Sequence, residues 1–381
     1  MTFNPTNPFT YIEINKEALT HNILQYKNIL NSNTLFAPVI KSNAYGHGLK
    51  EIARICDSLD TVDFLCVFSL NEAIQLRKWD IQKSLLVLSV IDIKLLHALQ
   101  DNAIHLTIYD EQSAYFLNHY AHTHNQKISI HIKIDTGLTR LGIHYTHALN
   151  SIERIALCKH LNLVGIFSHF SDSENYESTY THTQITRFNT ILTALSKKGI
   201  HIPLQHISCS AALSTKHTSH YSFARAGIGI FGLWSSLKNK QKTHQLYPYF
   251  NLKPVLTWKT HILQIHSVSK NTVVGYAQNF ITQRKSRIAT IPVGYWDGYD
   301  RSLSQKSHVL IREEKALIVG LICMNIMMID ITHISSAKKG DEVILLGNYP
   351  GISADDFATA LNTINYEVVT RINPFIKRVI R

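Results

Sequence analysis

"FAPVIKSNAYGHG", residues 36–48, decides how the chain is read. An apolar run from Phe36 to Ile40 ends on Lys41 and passes into a loop of small residues and glycines. A lysine is costly to bury unless it is paired or has chemistry to do. The run itself has strand length, and similar runs recur: "FLCVFS" (64–69), "SLLVLS" (84–89), "IHLTIYD" (104–110), "ISIHIKIDTG" (128–137), "LVGIFSHF" (163–170), "LQHISCS" (204–210) and "FARAGIGIFG" (223–232). Between them lie polar and apolar residues at helical spacing, as in "EAIQLRKW" and "EQSAYFLNHYAHTH". Eight β-then-α units predict a parallel sheet closed into a (β/α)8, TIM-type barrel.

After about residue 235 the texture changes. "SSLKNKQKTHQLYP" (235–248) is polar and basic without apolar periodicity, and reads as a linker. Beyond it strand-like runs follow one another: "VLTWKTHILQIHSV", "TVVGYAQNF", "RIATIPVGY" and "DEVILLG". The expected organisation is an α/β barrel over residues 1–235 and a mainly β domain over 236–381, with the first few residues free to pair with the C-terminal domain.

Composition narrows the function. With 45% hydrophobic and 17% charged residues, the chain of 381 residues can bury a core. The net charge of +11 is spread out, and its densest patches, "KNKQK" (238–242) and "QRKSR" (283–287), read as solvated loops. Neither a nucleic-acid nor a membrane partner is expected. The five cysteines are widely spaced and odd in number, which argues against a disulfide framework and a zinc site and suits a reducing compartment. The N-terminus lacks a basic segment followed by an apolar one, and no apolar run has membrane-spanning length. A cytoplasmic location is expected, with no metal.

Barrel enzymes carry their chemistry at the C-terminal ends of the strands. There this sequence places Lys41 after the first strand, Lys133 in the fifth and Arg140 just after it, His169 after the sixth, Ser210 after the seventh and Arg225 on the eighth. The loops after strands seven and eight often hold a phosphate. Ser210 offers a hydroxyl there, and Gly227 and Ile228 offer backbone N–H groups. A lysine opposite a phosphate site suits pyridoxal 5'-phosphate held as a Schiff base.

"VIKSNAYGHG" resembles the pyridoxal-lysine motif of the alanine racemase family. "HIKIDTGLTRLG", "FARAGIGIFG", "TVVGYAQNF", "RIATIPVGYWDGY" and "VGLICMNIMMIDIT" are similar to further segments of that family, in the same order. The resemblance implies interconversion of L- and D-alanine, with D-alanine supplied for peptidoglycan. It implies Lys41 as cofactor carrier and base at one face of the α-carbon, and Tyr276 as base at the other. Arg140 and the backbone N–H of Met324 would hold the substrate carboxylate. Arg225 would face the pyridine nitrogen, His169 the ring, and Tyr45 and Tyr366 the phosphate. Lys133 matches a lysine that many relatives carry as a carbamate. The resemblance also implies a homodimer, with Tyr276 and Met324 acting on the partner subunit's site. An arginine at the ring nitrogen cannot accept its proton, so the ring is a weak electron sink, which suits a racemase better than a decarboxylase.

Three positions depart from the pattern: Cys209 stands for the usual asparagine, Ala277 for a frequent glycine, and Asn325 for the usual aspartate. Substrate choice stays open, because alanine and serine differ by one hydroxyl. A decarboxylase on the same plan would carry an acidic residue where Arg225 stands, and an aldolase using Lys41 would leave Arg225 and Tyr276 without roles.

Overall fold

The structure is a computed structural model that describes residues 8–89, 91–99, 103–215 and 221–381. Two compact units are present. One comprises Leu19–Ser42 and Ile52–Lys253; the other comprises residues 8–18, Asn43–Glu51 and Pro254–Arg381.

The first unit is the barrel. Among the described residues its eight barrel strands are Leu35–Pro38, Phe64–Val67, Ser84–Val87, Ile104–Ile108, Ile128–Asp135, Leu161–Phe167, Leu204–His206 and Phe223–Ala226. The second to the seventh form a continuous parallel sheet. The first pairs in parallel with the eighth and reaches the second through a bridge from Val39 to Cys66. The seventh meets the eighth through side chains: Gln205 N–H donates to Ser222 Oγ (2.8 Å) and Arg225 N–H to Ser208 Oγ (3.4 Å). Ile128–Asp135 is buried at every position but the last. A strand covered on both faces is apolar throughout rather than alternating.

Two connections differ from expectation. After the third strand the described chain forms a 3-10 turn, Ile93–Ala98, closed by the Asp92 carboxylate on Lys94 N–H (3.0 Å). The segment expected as a linker contains a helix, Leu237–Leu246, capped by Ser236 on Asn239 N–H (3.1 Å). Its buried face is polar: Asn239 Nδ2 donates to Ala211 O (3.3 Å), and Thr243 Oγ1 to Ser214 Oγ (2.9 Å). Hydrogen bonds satisfy this face, so no apolar stripe marks it in the sequence.

The second unit carries a nine-stranded sheet among the described residues. Tyr11–Ile14 lies inside it, antiparallel to Leu256–His261 and parallel to Lys377–Ile380. A small hairpin, Val273–Val274 with Phe280–Ile281, projects Tyr276 from a tight turn. Gly275 opens that turn at φ 77°, where a Cβ would press on the Met328 methyl at 2.7 Å. The segment Asn43–Glu51 belongs to this unit, held by Arg378 Nη2 on Gly46 O (2.8 Å).

Candidate active site

The C-terminal strand ends of the barrel bring Lys41, Lys133, Arg140, His169 and Arg225 within electrostatic reach of one another. Lys41 is partly buried, and its Nζ lies 5.7 Å from the centre of the Phe68 ring. Burial lowers the pKa of its ammonium; Arg140 adds to the effect, and Glu72 opposes it. Lys133 is buried with Nζ 5.7 Å from the Phe167 ring. Burial, then Arg140 and Arg225, bring its pKa down to about 8. His169 is held neutral: burial and the nearby cations, Arg225 first, push its pKa well below the usual value. Asp135 shapes the loop carrying Arg140 by accepting N–H groups of Gly137 (2.9 Å), Leu138 (2.9 Å) and Thr139 (3.0 Å).

Arg225 is 3% exposed. Its guanidinium donates to His206 Nδ1, to Ser168 O (3.0 Å) and to Ile207 O (3.4 Å), all neutral acceptors. A guanidinium only donates, so His206 accepts at Nδ1 and carries its proton on Nε2. That proton points to His131 Nδ1 (2.9 Å), whose own Nε2 proton points to His105 Nδ1 (3.0 Å). One fixed charge thus sets three tautomers through the barrel interior. Burial keeps His131 and His206 neutral. The Cβ of any residue but glycine at 165 would overlap the His131 ring.

The second cluster lies at the ends of the seventh and eighth strands. Gly227 and Gly229 N–H groups converge on Ser210 Oγ at 2.9 and 3.2 Å. The buried Tyr26 hydroxyl also bonds Ser210. A Cβ at Gly229 would overlap that hydroxyl. Backbone N–H groups, two hydroxyls and a position closed to side chains form a donor set of the kind that holds a phosphate. Ser210, Gly227 and Ile228 stand out in the sequence; Gly229, Tyr26 and His206 do not. The "GIG" repeat was the available signal for Gly229; Tyr26, on the helix Lys16–Asn28, had none. Cys209 Sγ lies 3.0 Å from Ser173 Oγ.

In the second unit, the rings of Tyr45 and Tyr366 lie 6.2 Å apart. Tyr276 is 68% and Met324 55% exposed. Within this chain each stands at the surface of its unit.

The strand ends of the barrel thus gather a half-buried lysine, several cations and a phosphate-type cradle. Family models for the alanine racemase N-terminal domain and the alanine racemase C-terminal domain match residues 14–235 and 255–380. The chain belongs to the alanine racemase family. The alanine racemase of Clostridium tetani is 37% identical over 374 residues, covering 97% of this chain and 94% of its own. That of Clostridium perfringens SM101 is 35% identical over 372 residues, with the same coverage. Among solved structures, the alanine racemase of Clostridium difficile 630 superposes with a TM-score of 0.92 at 32% identity, over 98% of this chain and 96% of that one. The Bacillus anthracis alanine racemase with bound L-Ala-P gives 0.88 at 27% identity, over 99% and 96%.

Proposed function

We propose that this protein is an alanine racemase, an isomerase that interconverts L- and D-alanine with pyridoxal 5'-phosphate and supplies D-alanine for peptidoglycan in the cytoplasm. The observation that carries the reading is the pairing of Arg225 with neutral acceptors beside a Ser210–Gly227–Gly229 cradle. When bound, the cofactor would weaken the α-hydrogen bond of the amino acid. Ser210, Gly227, Ile228 and Gly229 would hold its phosphate with Tyr45 and Tyr366, and Lys41 would carry it. Arg225 would donate to the ring nitrogen and leave no proton there.

Racemisation requires a proton to leave one face of the α-carbon and arrive at the other. Lys41 takes the first role: its depressed pKa favours the neutral amine that can accept a proton. Tyr276 takes the second, donated by the partner subunit of a homodimer with shared sites. Its exposure, and that of Met324, supports this arrangement. A phenolate needs nearby positive charge, which Arg140 supplies while holding the substrate carboxylate together with Met324 N–H. Lys133 would be carbamylated. A pKa of about 8 makes the neutral amine that reacts with carbon dioxide accessible, and Arg140, Arg225 and Lys41 would offset the carbamate charge. No helix among the described residues is long and apolar enough to cross a membrane.

Lys41→Ala is expected to abolish the visible absorbance of the lysine-bound cofactor. Tyr276→Phe is expected to keep it and to lose proton abstraction from L-alanine preferentially. Retained absorbance in the first variant, or equal loss with both enantiomers in the second, contradicts the assigned faces.

A further inference from the structure

Glu72 sits on the helix Leu70–Lys78, outside the residues given roles above. Its carboxylate uses both oxygens on two separate stretches of backbone. Oε1 accepts Ser42 N–H at 2.8 Å; Oε2 accepts Phe68 N–H at 2.7 Å and Ser69 N–H at 3.3 Å. Ser42 directly follows Lys41. Phe68 is the residue whose ring faces Lys41 Nζ at 5.7 Å, within cation–π range. One carboxylate therefore fixes the main chain on both sides of the same amine–aromatic contact.

The chain after Lys41 has reason to need such a tie. Ser42, Asn43, Ala44 and Tyr45 have φ of 56°, 54°, 51° and 54°, a full left-handed turn built without glycine. Side-chain-bearing residues disfavour this conformation and persist in it only where the surroundings impose it. The Glu72–Ser42 bond holds the first residue of that turn.

We propose that Glu72 is a positioning residue for the active-site lysine: it clamps Ser42 and Phe68 so that Lys41 Nζ is held over the Phe68 ring. The proposal rests on Lys41 being the cofactor lysine. It gives Phe68 a role as the wall against which the amine is set. Glu72 also completes a capping box with Ser69, whose Oγ accepts Glu72 N–H at 3.3 Å. Ser69→Ala removes that helix cap and leaves the clamp, which separates the two roles. Glu72→Gln keeps the size, but an amide has one acceptor oxygen, so either Ser42 or the Phe68–Ser69 pair then faces an NH2 group.

The test uses the full chain stripped of cofactor, and two readouts. The first is the rate at which added pyridoxal 5'-phosphate is captured, followed by absorbance from pH 6 to 10; the second is amide exchange in the peptide spanning residues 40–46. Glu72→Gln is expected to capture at least tenfold more slowly on its high-pH plateau and to exchange at least tenfold faster. Its capture midpoint is expected at lower pH, because a negative charge beside the amine is gone. Ser69→Ala is expected within twofold of wild type in both. Should Glu72→Gln not fold, Phe68→Leu serves: it keeps the backbone donors, so exchange stays unchanged while the midpoint falls. Wild-type rates and exchange in Glu72→Gln, or an unmoved midpoint in Phe68→Leu, overturn the proposal. If wild type itself captures no cofactor, the Lys41 assignment fails, and the exchange result still tests the clamp.

Discussion

Lys133 illustrates how a single group reports on the site. In the folded chain its pKa is about 8, against an ordinary lysine value near 10.5. Below pH 8 both states hold the proton, and the fold carries an ammonium among cations. From about pH 8 towards the ordinary lysine range the unfolded chain binds a proton that the folded chain does not, so stability rises with pH across that window. In carbon-dioxide-free buffer, urea midpoints measured from pH 8 to 10 are expected to rise for wild type relative to Lys133→Met. With 13C-bicarbonate present, a carbamate resonance is expected for wild type and not for Lys133→Met, and the relative rise with pH is expected to persist, because unfolding releases the carbamate and the freed amine takes up a proton. The family resemblance singled out Arg225 in the sequence as the residue facing the ring nitrogen; its partners, His206 and two carbonyls, are brought together by no spacing rule.

At the scale of elements, the barrel strands were legible because their apolar runs are short and recur at regular intervals. Lys41, Lys133, His169, Ser210 and Arg225 were placed by the same register. The helix Leu237–Leu246 was not legible, because its buried face is Asn239 and Thr243, which donate hydrogen bonds to the Ser210–Ser214 turn. The 3-10 turn at Ile93–Ala98 was hidden for another reason: a β-branched and leucine-rich segment scores equally as helix or strand. Tyr26 reaches Ser210 from a helix far earlier in the chain, a tertiary contact without local signal. At the Tyr276 turn, the departure at Ala277 puts a side chain where the backbone favours glycine. Ala277 has φ 58° and Gln278 φ 49°, left-handed positions where glycine is preferred. Ala277→Gly is expected to stabilise the protein by up to about 1 kcal/mol, read as a rise in thermal midpoint, without altering cofactor binding.

At the scale of the molecule, the chain presents Lys41 in one unit and Tyr276 in the other. If two subunits share each site, Lys41→Ala and Tyr276→Phe are each nearly inactive alone but complementary. Mixed, unfolded and refolded together in equal amounts, they form heterodimers with one intact site of two, and activity should return to about a quarter of wild type in a symmetric dimer. Activity that never exceeds that of the single variants would place both bases in one chain. The near full-length similarity to alanine racemases supports the reaction, while the choice between alanine and serine rests on a single hydroxyl that a small pocket discriminates only modestly.

The most direct test of a two-faced racemase is to incubate the protein, loaded with pyridoxal 5'-phosphate, with L-alanine in heavy water and follow α-proton loss and D-alanine together. Deuterium incorporation accompanied by D-alanine is expected. Exchange without D-alanine, or cofactor bound with no exchange at all, would contradict the two-faced mechanism.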